Sequence, residues 1–217
     1  MISFEDVKSS SLITELVKKG DSVLNVMGFT EHGIAHASKV AQTSFYILNE
    51  LGKSHRETEL VMISAYMHDI GNIVNRVDHA QSGALMAFKI LGDMGMETDE
   101  LAYIVGAIGN HDEGTGTAIS NISAALILAD KTDVRRTRVR NGSNIAFDIH
   151  DRVNYAVTDS NLTVEGDKIT LRLEIDTLIS PVLDYFEIFL SRMMMCKRAS
   201  EFLKCSFNLV INNNKIL

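Results

Sequence analysis

Histidines and carboxylates that could bind a divalent cation are concentrated in the first two thirds of the chain. Six of the seven histidines lie between residues 32 and 111, and several stand beside an aspartate, as in the pairs His68-Asp69 and Asp78-His79. Imidazole and carboxylate groups are common protein ligands of Zn, Mn, Fe, Ni and Co. This region of the sequence therefore predicts metal chemistry.

The pair His68-Asp69 and the later Asp130 each follow a run of apolar residues. Burying such groups costs free energy unless something compensates them, and a divalent cation supplies that compensation. The alternative is structural: Asp69 caps a neighbouring helix, and Asp130 pairs with Lys131 or Arg135. That alternative is favoured for either acid alone, whereas both acids together with the nearby histidines favour a metal site.

His36, the pair His68-Asp69 and Asp130 resemble, in this order, the H…HD…D signature of the HD-domain metal-dependent phosphohydrolases. The resemblance covers roughly residues 25 to 140. In that family the four signature residues bind one metal inside a helical bundle. The resemblance therefore implies a mainly α fold and the hydrolysis of a phosphate ester by a metal-activated water.

Some branches of this family hold a second metal with histidines that lie between the HD pair and the last aspartate. His79 and His111 lie in that interval, and the pattern is closest to the two-metal branch that includes the HD-GYP phosphodiesterases. One histidine of that branch and its Gly-Tyr-Pro word are absent here. The resemblance implies one or two divalent transition-metal ions (Fe, Mn, Ni, Co or Zn), with Asp69 as the bridge. The implied ligands are His36, His68, Asp69, His79, His111 and Asp130.

Three further side chains are candidates for work on a substrate. His32 precedes His36 by one helical turn, so it could be an outer ligand, a proton carrier or a structural residue; with Asp69 it is a candidate catalytic residue. Lys131 and Arg135 share a face of the helix predicted to extend to about Arg138, and a cationic face suits phosphate binding. The alternative for these cations is a solvated basic face or a helix C-terminus.

The sequence contains no competing catalytic design. A G-x-S-x-G word, a P-loop and a G-x-G-x-x-G word are all absent, and neither cysteine stands near a histidine. Hydrolysis of a phosphate monoester or phosphodiester of a nucleotide-like molecule is therefore the first hypothesis. The alternatives are a di-iron oxygenase of the HD type and a non-catalytic metal- or nucleotide-binding regulatory protein.

Helices must position these residues, because apolar residues recur at intervals of three and four. One helix ends at Gly20 and a longer one extends from Gly33 to Gly52. A buried central helix, Glu59 to Ile70, carries the HD pair. The predicted helices that follow are a segment from Ala80 to Leu91, one from Leu101 to Ile108 capped by Thr98 or Asp99, and one from Asn121 to about Arg138.

The pattern changes after about Asn144, which predicts an HD-type domain over 1–145 and a small α+β unit over 146–217. Alternating residues around the turn 165–167 predict a β-hairpin, with 153–158 as an extra strand. Ser180 and Pro181 predict a helix with proline at its first position, extending to about Lys204. Residues 207–211 predict a last strand. We expect this unit to support a homodimer or to cover the substrate.

Composition sets the remaining expectations. The chain has 217 residues and a net charge of -7, which argues against a surface that coats nucleic acid but leaves small phosphorylated substrates open. No apolar run reaches the length of a membrane span, and two cysteines make a poor disulfide framework. We therefore expect a cytoplasmic protein without a membrane partner.

Overall fold

The computed structural model describes residues 1–140 and 149–217. Within these ranges the chain forms nine α-helices, two short 3-10 helices and four β-strands. Seven of the α-helices precede residue 140 and pack as a bundle, and the strands all follow residue 156. The predicted class, mainly α with a small α+β unit near the C-terminus, is confirmed.

The first four helices are α1 (Phe4–Ser9), α2 (Ser11–Val26), α3 (Ile34–Glu50) and α4 (His55–Met67). Helices α3 and α4 pack against each other along much of their length. Most of the apolar residues from which α3 was predicted are buried, and the helix has nearly the predicted bounds. Both helices therefore form the centre of the bundle.

Two helix ends differ from the prediction. Gly20 does not end α2, which continues to Val26; the glycine is buried inside the helix, close to the backbone of Ile73. Helix α4 begins at His55 rather than at the predicted Glu59. Its start is fixed by a capping box in which Ser54 and Glu57 each accept a bond from the other's backbone.

Helix α4 ends at Met67, and a 3-10 helix over Ile70–Ile73 connects it to α5 (His79–Asp93). Gly71 lies where this connection packs on the start of α5. A Cβ atom at this position would lie 2.0 Å from the backbone oxygen of His79, so only glycine allows the approach. This close contact places the end of α4 beside the first turn of α5.

Helices α6 (Thr98–Gly109) and α7 (Asn121–Lys131) complete the bundle. The N-cap of α6 is Glu97, not the predicted Thr98 or Asp99, and it makes no side-chain capping bond. Helix α7 ends seven residues before the predicted Arg138. Thr132, Asp133 and Val134 have low helix propensity, and the chain turns there into a 3-10 helix over Arg136–Arg138.

The C-terminal part contains two further helices and one sheet. Its elements are α8 (Ile149–Ala156), β1 (Val157–Glu165), β2 (Lys168–Ile175), α9 (Val182–Phe202), β3 (Ser206–Ile211) and β4 (Asn214–Lys215). The sheet order is β1-β2-β3-β4, with β2 and β3 parallel and the outer pairs antiparallel. The hairpin and the strand over 207–211 are confirmed, whereas β4 was not predicted.

Two predictions in this part were wrong in detail. The strand predicted over 153–158 begins only at Val157, because residues up to Ala156 are helical. Pro181 is the N-cap of α9 rather than its first helical residue, and the helix ends at Phe202. In place of a capping bond to the backbone, the Ser180 hydroxyl donates to Asp184 at 2.9 Å.

Helix α9 packs on α7 and on β3, so the C-terminal part shares a hydrophobic core with the bundle. Tyr185, Phe189 and Met193 are the buried side chains of α9 nearest its start. The predicted boundary at residue 145 lies outside the described residues. Across the described ranges, no helix combines the length and the apolar character needed to cross a membrane.

Candidate metal centre

The six side chains predicted as metal ligands form one cluster inside the bundle. Each comes from the end of a helix or from the first turn of one, so the backbone directs them inward from several sides. In chain order they are His36 of α3, His68 and Asp69 after α4, His79 of α5, His111 after α6 and Asp130 of α7. The structure therefore brings together all six predicted residues.

His36, His68 and Asp130 form the first group, in which the candidate ligand atoms lie within 4.8 Å of one another. The Nε2 atoms of His36 and His68 lie 3.3 Å and 3.7 Å from Asp130 Oδ1. Asp69 Oδ2 lies 3.2 Å from His68 Nε2 and 3.8 Å from His36 Nε2. These four side chains therefore face a common space.

His79 and His111 face the other oxygen of Asp69. The Nε2 atoms of His79 and His111 lie 3.4 Å and 3.8 Å from Asp69 Oδ1, and 3.2 Å from each other. Ligand atoms of His68, Asp69 and His111 also lie within 4.8 Å of one another. The two oxygens of one carboxylate therefore face two different sets of histidines.

An oxygen acceptor orients each of these four histidines through its Nδ1 atom. The Nδ1 pairs are His36 with Asp133 Oδ2 (2.7 Å), His68 with Ala65 O (2.7 Å), His79 with Arg76 O (3.0 Å) and His111 with Ile108 O (2.6 Å). A carbonyl or carboxylate oxygen can only accept, so each Nδ1 carries the proton and donates it. The lone pair then lies on Nε2, the atom that faces the Asp69 carboxylate.

The Nε2 atoms of His36 and His68 are buried and have no hydrogen-bond partner among the described residues. Buried polar atoms are normally hydrogen-bonded, so two orphaned nitrogens facing one space need another partner. A divalent cation fits their lone pairs, and Asp69 and Asp130 supply the compensating charge. A donor set of imidazoles and carboxylates suits transition metals such as Fe, Mn, Ni, Co or Zn.

Asn72 and Arg76 hold the Asp69 carboxylate. The Asn72 amide donates to Asp69 Oδ1 at 2.9 Å and to the Asp69 backbone oxygen at 3.0 Å. Arg76 Nη1 lies 4.0 Å from the same Oδ1 and 3.4 Å from His79 Nε2. Neither role was predicted. The sequence feature that could have indicated the contact of Asn72 is its spacing: it follows Asp69 by three residues and can turn back towards it.

Asp133 is a further residue of this site that was not predicted. It is buried, and it accepts the Nδ1 hydrogen of His36 at 2.7 Å, which makes a carboxylate–histidine pair behind the candidate ligand. Burial opposes its ionisation, but His36 and Arg138 outweigh this and hold the pKa of Asp133 below its ordinary value. The sequence feature that could have indicated its role is its position, three residues after Asp130.

Charged side chains dominate the cavity in front of the ligand atoms, which has a volume of about 10 Å³. A space of that size holds about one water molecule. It is lined by His32, Asp69, Arg76, His79, His111, Asp130, Lys131, Arg138 and Arg192. Four of these residues are cations, so the carboxylates face a ring of positive charge.

The structure separates the two residues predicted to bind substrate. Lys131 lines the cavity, with its Nζ 2.8 Å from Asp130 Oδ2 and 3.6 Å from Glu113 Oε1. Arg135 lies outside it and donates to Asp133 Oδ1 at 2.7 Å and to Thr137 Oγ1 at 2.6 Å. The predicted shared helical face does not form, because α7 ends at Lys131.

The C-terminal helix α9 contributes Arg192 to the cavity. Arg192 Nε lies 2.6 Å from Glu113 Oε1, and its guanidinium carbon lies 4.7 Å from the centre of the Phe189 ring. The ring supports the cation from the core side. No sequence pattern singled out this arginine, since its place depends on how α9 packs against α7.

His32 is half-buried at the same cavity. Its Nδ1 donates to the Thr30 carbonyl at 2.7 Å, and its backbone N–H donates to Asp21 Oδ1 at 2.7 Å. Burial and the nearby Arg138 charge hold the pKa of His32 well below its ordinary value. With Nδ1 as the donor to Thr30, Nε2 is the acceptor nitrogen of the neutral ring.

Charge is shared unevenly between the ligand residues. Burial disfavours the charged form of His68, but Asp69 and Asp130 outweigh it and raise the pKa of His68 to about 10. Burial and the His68 charge lower the pKa of His111 to about 3. Despite burial, Lys131 and the histidines hold the pKa of Asp130 well below its ordinary value. Without a cation, a proton on His68 therefore balances part of the negative charge.

Comparison with known proteins identifies this region. Residues 33–135, which include all six candidate ligands, match the HD domain family. An uncharacterized protein of Methanocaldococcus jannaschii is 28% identical over 198 residues, covering 81% of this chain and 75% of that protein. The crystal structure of a predicted HD superfamily hydrolase from an uncultured Thermotogales bacterium has a TM-score of 0.46 and 22% identity, and the match covers 89% of this chain and 86% of that one. The predicted resemblance to the HD domain family is confirmed over residues 33–135.

Proposed function

We propose that the chain is a metal-dependent phosphohydrolase that cleaves a phosphate monoester or phosphodiester of a small, nucleotide-like molecule. One observation carries the proposal. The Asp69 carboxylate lies between two sets of histidines, and the cavity before it is lined by the four cations Arg76, Lys131, Arg138 and Arg192. Metal ligands beside an anion-binding cavity suit phosphoryl chemistry.

In this proposal one divalent cation is held by His36, His68, Asp69 and Asp130. A second is held by His79, His111 and the other oxygen of Asp69. When bound, such ions lower the pKa of a water molecule towards neutrality and polarise a phosphoryl oxygen. The Nδ1 partners keep the histidine side chains in place, so little reorganisation accompanies binding.

The cations of the cavity would bind and orient the phosphate group of the substrate. Lys131 and Arg192 both lie beside Glu113, so an incoming phosphate can replace that carboxylate as their partner. Arg138 donates to the backbone oxygens of Glu31 and Asp133, so it is held rigidly and contributes charge.

Asp69 and His32 are the candidate catalytic residues. Asp69 fixes the ligand geometry from its place between the two histidine sets. His32 lines the cavity, so in this proposal its Nε2 takes or returns the proton of the reacting water or the leaving group. The hydrogen bond from its Nδ1 to Thr30 keeps that nitrogen in the acceptor form.

The test begins with metal content. Protein purified without chelator is expected to contain one or two equivalents of a transition metal per chain, and Asp69→Ala is expected to lose them. Asp99→Asn, an exposed aspartate in the first turn of α6, is the matched control and should keep its metal. Absence of metal in the parent protein under any loading condition would overturn the proposal.

Turnover separates the hydrolase from its alternatives. Loaded with Mn, Ni, Co or Fe, the protein is expected to hydrolyse nucleotides or a generic phosphodiester, and Asp69→Ala should not. A mixed-valence iron signal with oxygen consumption would instead identify a di-iron oxygenase. Metal binding without turnover of any substrate would point to a regulatory protein.

A further inference from the structure

A second cavity, larger than the one at the metal centre, lies between α3, the segment that follows α7, and β1. We name it the α3–β1 groove; its volume is about 580 Å³. Sites for small molecules usually have volumes of about 300 to 1,000 Å³. The groove is therefore large enough for a metabolite, although no function assigned above uses it.

Polar side chains line the α3 side of the groove. Four of them share a single face of the helix, because they recur at intervals of three, one and three residues. They are Lys39, Gln42, Thr43 and Tyr46. Residues 158 to 163 on the β1 side add further hydroxyl and amide groups. A surface rich in such donors and acceptors suits a ligand with several hydroxyl groups.

Three cations also line the groove: Lys39, Arg135 and Arg136. The exposed Lys39 has no hydrogen-bond or ion-pair partner among the described residues. Arg136 Nε donates to the Tyr155 carbonyl at 2.6 Å, and its guanidinium carbon lies 4.5 Å from the centre of the Tyr155 ring. These contacts fix the guanidinium and leave its terminal nitrogens without partners in the described ranges.

Two acids line the groove, and one of them is already engaged. Asp133 is buried and accepts bonds from His36 and Arg135, whereas Asp159 is exposed on β1. Neither Lys39 nor Arg136 forms an ion pair within the described residues, so these two cations share the groove with one unpaired carboxylate, Asp159. Unpaired cations beside hydroxyl and amide groups favour a phosphorylated, hydroxylated ligand.

We propose that the α3–β1 groove binds a small sugar-phosphate-like anion. Lys39 and Arg136 contact the phosphate, and the polar residues of α3 and β1 bind the hydroxyl groups. This site is distinct from the metal centre, because none of the six candidate ligands lines it. The proposal does not depend on hydrolase activity.

The test is calorimetric titration of the metal-free protein with ribose 5-phosphate, with ribose as the uncharged match. Saturable binding of one ribose 5-phosphate per chain is expected, with no heat from ribose. Lys39→Gln and Arg136→Gln should each weaken binding about tenfold, the size of one charge-assisted contact. Lys19→Gln, an exposed lysine of α2, is the matched control and should bind as the parent does.

A second variant distinguishes binding in the groove from binding in the cavity in front of the candidate ligands, which we name the metal-facing cavity. Arg192→Gln removes a cation from that cavity and should leave ribose 5-phosphate binding unchanged. The proposal is overturned if ribose 5-phosphate fails to bind, or if Arg192→Gln weakens binding while Lys39→Gln does not. Because the groove variants keep all candidate ligands, their metal content should equal that of the parent protein, so the two proposals can fail separately.

Discussion

Asp133 would act on a metal held by His36 through its hydrogen bond with that histidine rather than by contact with the cavity. Replacing it with asparagine keeps an oxygen that can accept the Nδ1 hydrogen of His36 but removes the charge behind it. Loss of such supporting carboxylates typically costs 10- to 100-fold in metal affinity. We expect Asp133→Asn to weaken metal binding by roughly that factor, measured by competition with a chromophoric chelator.

A control variant tests whether the loss of any nearby negative charge would weaken metal binding in the same way. Asp159→Asn removes an exposed aspartate on the other side of the α3–β1 groove and should leave metal affinity unchanged. Circular dichroism of both variants reports whether the helical fold is kept. Equal metal affinity in the folded Asp133→Asn variant and in the parent would contradict the role assigned to this carboxylate.

His79 and His111 provide a separate test of the second ion. Both nitrogens face Asp69 Oδ1, on the side away from His36. We expect His79→Ala and His111→Ala each to reduce metal content by one equivalent and to retain the other ion. Elemental analysis of the folded variants measures this. His55→Ala, at the exposed start of α4, serves as the control, and unchanged stoichiometry in both variants would mean that the second site is misplaced.

The resemblance to the H…HD…D signature, together with the cost of burying histidine and aspartate without a partner, selected the six candidate ligands. The supporting residues could not be selected in this way. Asp133 is one of many acids in the sequence, and its contact with His36 depends on where α7 ends. Whether the six converging residues act as ligands remains a prediction that the metal measurements test.

At the level of elements, the start of α4 links stability to pH. Glu57 belongs to the capping box, and the Asn121 amide donates to it at 3.0 Å. This bond, together with those from Ser54, lowers the pKa of Glu57 below its ordinary value of 4.5. The unfolded chain therefore binds the proton more tightly, so the stabilisation is complete above pH 4.5 and is lost as pH falls through the folded value.

We therefore expect the free energy of unfolding to fall as pH is lowered from about 5 to 3, and the fall to be smaller in Glu57→Gln. Urea titration at several pH values measures both slopes. Glu201→Gln, which changes an exposed glutamate near the end of α9, should retain the slope of the parent protein. A Glu57→Gln slope equal to the parent's would show that this carboxylate has no share in the pH dependence.

Helix interiors were predictable from the spacing of apolar residues, but several helix ends were not. The cations at 131 to 138 continued a plausible helix, yet Thr132 and Val134 interrupt it and the chain turns away. The same turn removes Arg135 from the cavity and places it in the α3–β1 groove. Local propensity thus decided which of the two cavities this arginine lines.

At the level of the whole molecule, the C-terminal part completes the metal-facing cavity. Arg192 reaches it only because α9 packs on α7. We expect Arg192→Gln to raise the KM for p-nitrophenyl phosphate about tenfold, as the loss of one charged contact would. Steady-state kinetics measure this, with Arg198→Gln, exposed on the same helix, as the control. An unchanged KM would exclude a phosphate contact by Arg192.

The homodimer through the C-terminal unit stays a prediction. Leu183 and Leu190 of α9 are 75% and 53% exposed. The unit therefore exposes apolar surface that a second copy of the chain would bury in a homodimer. Light scattering should report twice the mass of one chain, and Leu190→Glu should reduce it to that of a monomer. Leu85→Glu on α5, where the parent leucine is 70% exposed, should stay dimeric. A monomeric parent protein would rule the dimer out.

One carboxylate connects the two cavities. Asp133 accepts a hydrogen bond from His36 Nδ1 on its Oδ2 atom and one from Arg135 Nε on its Oδ1 atom. Its carboxylate therefore faces the candidate metal centre on one side and the groove on the other. An anion bound in the groove would lie beside Arg135 and weaken its hold on this carboxylate, which would leave more negative charge on the oxygen that polarises His36. By thermodynamic reciprocity, a cation held at the candidate metal centre would then raise the affinity of the groove for that anion by the same factor. If both proposals hold, one hydrogen-bonded side chain would couple the occupancy of the two sites.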